Sequence, residues 1–552
     1  MDLVVMSEPR RNGGDLLVEL LRLLDVDAAF GVVSVHNLPL VEALNRDLRW
    51  VATRGEAAAV NAADGYGRSR DGVGCAVTST GTGAGNAAGS LIEALAAGAP
   101  LLHVTGQIDS AHLGFGRGFI HETRDQLGLL TACSSWATTI GDDPVADFNE
   151  ARSRLRAPIT GPVSLEWPID RQYRAAAGDL ASGEDLTSCP EPDDAGIEQA
   201  LTLLAEAERP LVWAGGGAIR CGPELDSFLD RLGAGLITSN AGRGALAESD
   251  PRVVGNFAST TRGVELLDAA DLLVSIGTHF RSNETRSYRL GLPTHHIQID
   301  LDPAALGRSY PCEVGIAGEA GQVLRRLLDT PNWGRAERSE WRSEIGRARA
   351  ACRNQLEADI GPYAPICYSM TDVLGPDGLR VRDITIPNSA WGNRLLQITD
   401  PRTNIYPRGG GIGQALAMGI GASVGRTEVA TMVLIGDGGL QVQLGELAAL
   451  AEEQLPVTLV VFDDGGYGVL RNAQDQYLGH RFGVDLYTPD FAQIATAFDL
   501  DYARVEAADQ FHGAFSAAID RGRPALIHVD CQRLGPMPKP FSPPVDLPEV
   551  TS

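Results

Sequence analysis

No two of the eight cysteines form a C-x-x-C pair; Cys75, Cys133, Cys189, Cys221, Cys312, Cys352, Cys367 and Cys531 are scattered along the chain. That argues against a zinc site and a disulfide framework, and suits a reducing cytoplasm. Positive charge is scarce: 46 Lys and Arg stand against 71 Asp and Glu, a net charge of −25. Nucleic acid and anionic membrane are therefore poor partners. No apolar run approaches the ~20 residues of a membrane span. The first residues, M-D-L-V-V-M-S-E-P-R-R, lack the basic start and apolar core of a secretory leader, so the expected location is cytoplasmic. What is present, 44% hydrophobic and 21% charged residues, is ordinary for a soluble enzyme. At 552 residues the chain exceeds a single core, and several domains are expected.

The most informative stretch is 434–470. An apolar run at 430–435 stops at Gly436-Asp437-Gly438-Gly439, a helix-like segment follows, and a second apolar run at 457–462 stops at Asp463-Asp464-Gly465-Gly466-Tyr467. This reads as strand, turn, helix, strand, turn, with two carboxylate-bearing turns leaving one edge of a parallel sheet. Open α/β sheets bind ligands at such edges. Glycines admit a phosphate to the backbone, and carboxylates beside a diphosphate are what Mg²⁺ requires. Taken alone, both aspartates could equally be turn formers.

The rest of the chain alternates helix and strand. Helices are expected at 16–24, from Glu56, and at 87–97; strands at 28–33, 50–52, 74–79 and 101–105. The loop 80–86, T-G-T-G-A-G-N, is expected to open the helix at 87. Residues 178–194 read as a linker, strands at 211–214, 272–276 and 296–299 mark a middle unit, and 332–363 reads as a second, charged and partly helical linker. The domains are therefore placed at 1–178, 195–331 and 364–552. Gly89 and Gly445 each begin a segment with a proline 11 residues on (Pro100, Pro456) and an apolar strand after it. That echo suggests one architecture at both ends of the chain.

The spacing of Asp437 and Asp464 (464 − 437 = 27) resembles the cofactor motif of the thiamine-diphosphate-dependent 2-oxo acid enzymes, G-D-G followed by N-N or N-D. Acetolactate synthase, benzoylformate decarboxylase and pyruvate decarboxylase belong to that family. The resemblance implies three α/β domains with parallel sheets flanked by helices: pyrimidine-binding, central and diphosphate-binding. It implies thiamine diphosphate and Mg²⁺, the metal held by the side chains of Asp437 and Asp464 and the carbonyl of Gly466. Asp464 departs from the family's usual Asn. Gly438, Gly439, Asn388 and Ser389 would meet the diphosphate, with Tyr467 closing the turn, and Gly410 and Gly411 would line the pyrimidine. Ile412 would prop the cofactor into its bent shape.

Glu56, in R-G-E-A-A-A, matches the family's glutamate beside the aminopyrimidine nitrogen, where a carboxylate favours the tautomer that activates the thiazolium carbon. His36, His121 and Glu122 are candidates for proton handling. Val35, Ser79 and Leu470 occupy positions where the subtypes differ; Leu470 matches benzoylformate decarboxylase, and no subtype's full catalytic set is present. The middle domain's Gly215-Gly216-Gly217 lacks the full dinucleotide spacing; relatives there hold FAD or nothing, and the expectation here is no FAD. The implied partner is a small 2-oxo acid, with a homodimer or homotetramer placing active sites between subunits. The expected reaction is decarboxylation with transfer of the activated aldehyde to a second carbonyl. Simple decarboxylation, an acyl-CoA lyase and a non-catalytic cofactor-binding homologue are the alternatives.

Overall fold

The computed structural model describes residues 11–180, 189–331, 333–334 and 338–542. Parts of both linkers and both ends of the chain lie outside them. The apolar runs form three six-stranded sheets in which every pairing is parallel. Their central strands are buried on both faces, which is why they read as continuous rather than alternating apolar segments.

The first sheet contains β1 (Ala28–Gly31), β2 (Arg49–Ala52), β3 (Gly74–Thr78), β4 (Leu101–Gln107), β5 (Trp136–Thr139) and β6 (Pro162–Pro168), in the order β2-β1-β3-β4-β6-β5. The middle sheet contains β7 (Pro210–Ala214), β8 (Gly235–Thr238), β9 (Val253–Gly255), β10 (Leu272–Ile276), β11 (His295–Asp300) and β12 (Val314–Ala317), ordered β12-β11-β10-β7-β8-β9. The last contains β13 (Leu379–Arg382), β14 (Asn404–Ile405), β15 (Thr431–Gly436), β16 (Val457–Asp463), β17 (Asp501–Val505) and β18 (Ala525–Asp530), ordered β14-β13-β15-β16-β18-β17. Counted from its own first strand, the last sheet repeats the order of the first, and the middle sheet does not. The Gly89 and Gly445 segments occupy equivalent places, each between the third and fourth strands of its sheet.

The first and last domains share one apolar core. The helix Glu56–Arg70 crosses the helix Ala415–Gly425 at Gly65 and Gly421. A Cβ at Gly65 would collide with the carbonyl of Met418, and one at Gly421 with that of Ala62, so the backbones touch only because both residues lack a side chain. The middle domain is tied on by Arg243 and Glu248, 2.7 Å apart with side chains 0% and 1% exposed. Arg243 donates to the carbonyls of Gly392 and Leu396, and Glu248 accepts the N–H of Ile398. A buried ion pair persists only when its remaining hydrogen-bonding groups are matched in this way.

One expectation changes. The helix expected from residue 87 begins at Thr82, so most of the glycine-rich loop is helix. Gly81, at φ +65°, makes the turn, and tertiary contacts described below override the low helix propensity of Gly83 and Gly85. The charged stretch 332–363, expected to be partly helical, contains the helix Ser339–Ile360, which buries Trp341, Ile345 and Cys352 against the middle domain.

Candidate active site

The order of the last sheet places a topological switch between β13 and β15, where the crossovers leave in opposite directions and open a crevice at the carboxyl ends. Three adjacent strands end there in aspartates: Asp383 after β13, Asp437 after β15, Asp463 and Asp464 at the end of β16.

Asp437 is 1% exposed, and burial together with the charges of Asp464 and Asp463 pushes its carboxyl up to about 7. Burial lifts Asp464 to about 6, with Arg471 opposing and Asp463 assisting. The N–H groups of Gly438 and Asp464 meet the Asp437 carboxyl, and that of Gly466 meets the Asp464 carboxyl. Asp437 Oδ2 has Thr488 Oγ1 at 3.4 Å, and Asp464 Oδ1 accepts no hydrogen bond, Arg471 standing 3.8 Å away. The carbonyl of Gly466 completes the group, 3.2 Å from where a Cβ on Gly438 would lie. Hard oxygens of this kind fit a divalent cation. Among the described residues there is no cluster of three or more His, Cys, Asp or Glu suited to a metal. The protein would therefore give two carboxylates and a carbonyl, leaving positions for phosphate and water. Asp463 is engaged elsewhere, accepting from His528 Nε2 at 2.9 Å and from the N–H of Gly465 at 3.2 Å.

Gly438 and Gly439 line a cradle that side chains would fill. A Cβ on Gly438 would lie 3.0 Å from the Tyr467 ring, and one on Gly439 would collide with Asp383 Oδ2. Asn388 and Ser389 begin the turn Asn388–Gly392 beside it; buried Asn388 donates to the carbonyl of Asp383 at 2.8 Å and keeps an unpartnered Oδ1. Gly410 (φ +96°) and Gly413 (φ +77°) bend the loop that carries Ile412, whose side chain is 39% exposed. The fully buried carboxylate of Asp383 accepts the N–H of Gly413 at 2.8 Å and that of Ile384 at 2.9 Å. From the first domain, the carboxylate of Glu93 accepts the N–H groups of Gly409 and, at 3.2 Å, Gly411.

Glu56 opens its helix with N-cap Gly55. Asn86 Nδ2 donates to Glu56 Oε2 at 3.1 Å, and a Cβ on Gly83 would stand 2.7 Å from Glu56 Oε1. Asn86 and Glu93 lie seven residues apart on the helix Thr82–Ala97, about 10 Å of axis. Within one chain, Glu56 and the Ile412 loop therefore meet different parts of that helix.

The structure also brings His36 and His121 together, with ring centroids 5.4 Å apart. His36 is 4% exposed, its Nδ1 is unpartnered, and burial followed by the charge of His121 lowers its pKa. His121 sits at φ +67° in the loop after Gly118. Glu122 accepts N–H bonds from Gly116, Gly118 and Phe119 at 2.8–3.0 Å, which hold its carboxyl below the usual range. That makes it an anchor for the glycine loop rather than an unengaged base.

Sequence reasoning missed Asp383, Glu93 and Gln126, whose Oε1 accepts from Gly81 N–H at 2.7 Å and braces the turn before the helix. Asp383 has little local signal, because the strand it follows, L-R-V-R, alternates arginine with apolar residues. In the middle domain, a Cβ on Gly215 would collide with the carbonyl of Gly277, and one on Gly277 with Gly217. These glycines serve backbone contact between two strand ends, so they are no pointer to FAD.

Family models for thiamine pyrophosphate enzymes match the N-terminal TPP binding domain at 11–129, the central domain at 197–327 and the C-terminal TPP binding domain at 387–529. The chain is 30% identical over 546 residues to a probable 2-ketoarginine decarboxylase of Pseudomonas aeruginosa, covering 95% of each. It is 28% identical to the acetolactate synthase large subunit of Corynebacterium glutamicum, over 94% of this chain and 86% of that one. An X-ray structure from Mycobacterium smegmatis, provisionally assigned as a thiamin diphosphate-dependent enzyme, superposes with a TM-score of 0.78 at 23% identity, covering 94% and 99%.

Proposed function

Since the chain belongs to the thiamine pyrophosphate enzyme family, we propose that it is a Mg²⁺- and thiamine-diphosphate-dependent enzyme that decarboxylates a 2-oxo acid and transfers the activated aldehyde to a second carbonyl. The observation that carries the reading is the crevice where buried Asp437, and Asp464 with its unpartnered Oδ1, stand beside the Gly438–Gly439 cradle. When bound, thiamine diphosphate supplies a carbon nucleophile and an electron sink for the departing CO₂. Asp437, Asp464 and the Gly466 carbonyl would hold the metal. Gly438, Gly439, Asn388 and Ser389 would hold the diphosphate, and Ile412, Gly410 and Gly411 the pyrimidine side. Glu56 would keep a proton at the pyrimidine ring nitrogen. His36 and His121 would orient the reacting carbonyl or return a proton to the product carbon. Exposed apolar side chains at Val33, Val35, Leu38, Ile412 and Leu470 support cover by a second copy of the chain.

A second reading ends the reaction at aldehyde release. The 30% identity to a probable decarboxylase favours it. Product analysis decides between them: pyruvate, phenylglyoxylate and 2-ketoarginine are supplied with thiamine diphosphate and Mg²⁺. Acyloin products support transfer, and free aldehyde alone supports the second reading. Glu56→Gln is expected to lower turnover by at least ~100-fold while the protein stays folded by circular dichroism. Turnover unchanged by that substitution would remove Glu56 from its role.

A further inference from the structure

The helix Thr82–Ala97 is joined to the loop that carries Ile412 at three places. Arg408, just before the loop, donates to the carbonyl of Ala97 at 3.2 Å. Gly409 and Gly411 donate their N–H groups to the two carboxylate oxygens of Glu93. The middle domain adds Arg281, which donates to the carbonyl of Ala96 at 2.7 Å and to that of Arg408. Two guanidinium groups thus satisfy the last carbonyls of the helix, where its dipole is negative.

Glu93 is an acid 3% exposed on an otherwise apolar and small-residue helix. A carboxylate at that depth is costly unless it accepts hydrogen bonds, and Glu93 accepts them from the loop N–H groups. Seven residues is close to two helical turns, so Glu93 and Asn86 project from nearly the same face. One end of that face touches Glu56 and the other holds the glycines beside Ile412. Three glycines in succession have no side chains of their own to fix them; Arg408 and Arg281 secure the chain just before them, and Asp383 secures it after them at Gly413.

We propose that Glu93 is a positioning residue: its carboxylate, reaching across from the first domain, sets the Gly409–Gly411 backbone and so presents Ile412 to the cofactor. The inference rests on the thiamine-diphosphate reading above for what the loop receives, but the loop-holding itself does not.

The test has two arms. In cofactor-free protein, amide hydrogen exchange at Gly409 and Gly411 is compared between wild type and Glu93→Gln. The amide offers one acceptor instead of two and turns a donor toward a donor, so faster exchange confined to the loop is expected, with β4 unchanged. In the second arm, thiamine diphosphate with Mg²⁺ is titrated by intrinsic fluorescence. Loss of a charge-assisted hydrogen bond should raise the cofactor's Kd roughly tenfold or more, with Glu93→Asp recovering part of it. If Glu93→Gln does not fold, Gly409→Ala replaces it, because its Cβ would stand 2.8 Å from Glu93 Oε2 and displace the carboxylate. Unchanged exchange and unchanged Kd in a folded variant would overturn the proposal. Wild-type protein with no affinity for thiamine diphosphate would instead overturn the cofactor reading, and with it what Glu93 positions the loop for, while the exchange arm still reports whether Glu93 holds the loop.

Discussion

At the scale of single residues, the crevice concentrates acids that the fold alone does not want charged. Asp383 shows this most cleanly, because it carries no metal-binding assignment. Burial pushes its carboxyl from 3.8 up to about 7, against the N–H bonds of Ile384, Gly413 and Gln414. The native state therefore holds the proton more tightly than the unfolded chain does. Between the two values the unfolded state binds fewer protons, so this group's stability contribution is complete below about pH 4, falls as pH rises, and is lost above about pH 7. Asp383→Asn removes the slope. Urea melts of metal- and cofactor-free protein at about pH 5 and pH 8 should show wild type losing on the order of 2–3 kcal/mol relative to the variant. Identical pH slopes would mean that Asp383 is ionised like an ordinary carboxylate. Residues of this kind were half legible in the sequence. Asp437 and Asp464 stood out because a glycine turn followed each apolar run. Asp383 follows the strand L-R-V-R, whose arginines break the apolar pattern, and Glu93 gives no signal, since its partners are backbone groups more than 300 residues away.

Among the elements, strands such as β15 and β16 are readable because parallel strands buried on both faces leave uninterrupted apolar runs, whereas β13, L-R-V-R, and the edge strand β17, D-Y-A-R-V, carry no such run and are not read. The start of the helix Thr82–Ala97 is misplaced because every residue of T-G-T-G-A-G-N except Ala84 is a poor helix former by propensity, and the contacts that hold them lie elsewhere in the chain: Gln126 under Gly81, and Glu56 against Gly83. The same logic governs the crossing of Glu56–Arg70 with Ala415–Gly425. Nothing local marks Gly421 as different from Gly419, yet a Cβ at Gly421 would run into the carbonyl of Ala62, backbone that cannot swing aside. Gly421→Ala is therefore expected to cost about 2–3 kcal/mol by overpacking, despite alanine's better helix propensity. Thermal unfolding checks the sign. A neutral or stabilising result would show that the two helices can separate by about an ångström or more without penalty, since that Cβ would otherwise lie 1.8 Å from the Ala62 oxygen.

For the whole molecule, the repeat of the first sheet's order in the last gives two similar domains fused through one core, each with its own crevice. The echo at Gly89 and Gly445 hinted at this, but strand order depends on long-range pairing that local pattern does not encode. The fusion has a consequence for the proposed catalytic unit. Glu56 is held near the start of the helix Thr82–Ala97, and the Ile412 loop is held two turns further along it. A cofactor gripped by Asp437 and propped by Ile412 would then meet Glu56 of a second copy rather than its own. Glu56→Gln and Asp437→Asn homodimers should each be nearly inactive. In a mixed dimer of the two variants, one site collects both substitutions and the other collects neither. Random mixing in equal amounts makes half the dimers mixed, so turnover should recover to about a quarter of wild type. If instead each chain builds its own complete site, no combination of the two variants contains an intact one, and co-expression would leave activity at the level of the separate variants.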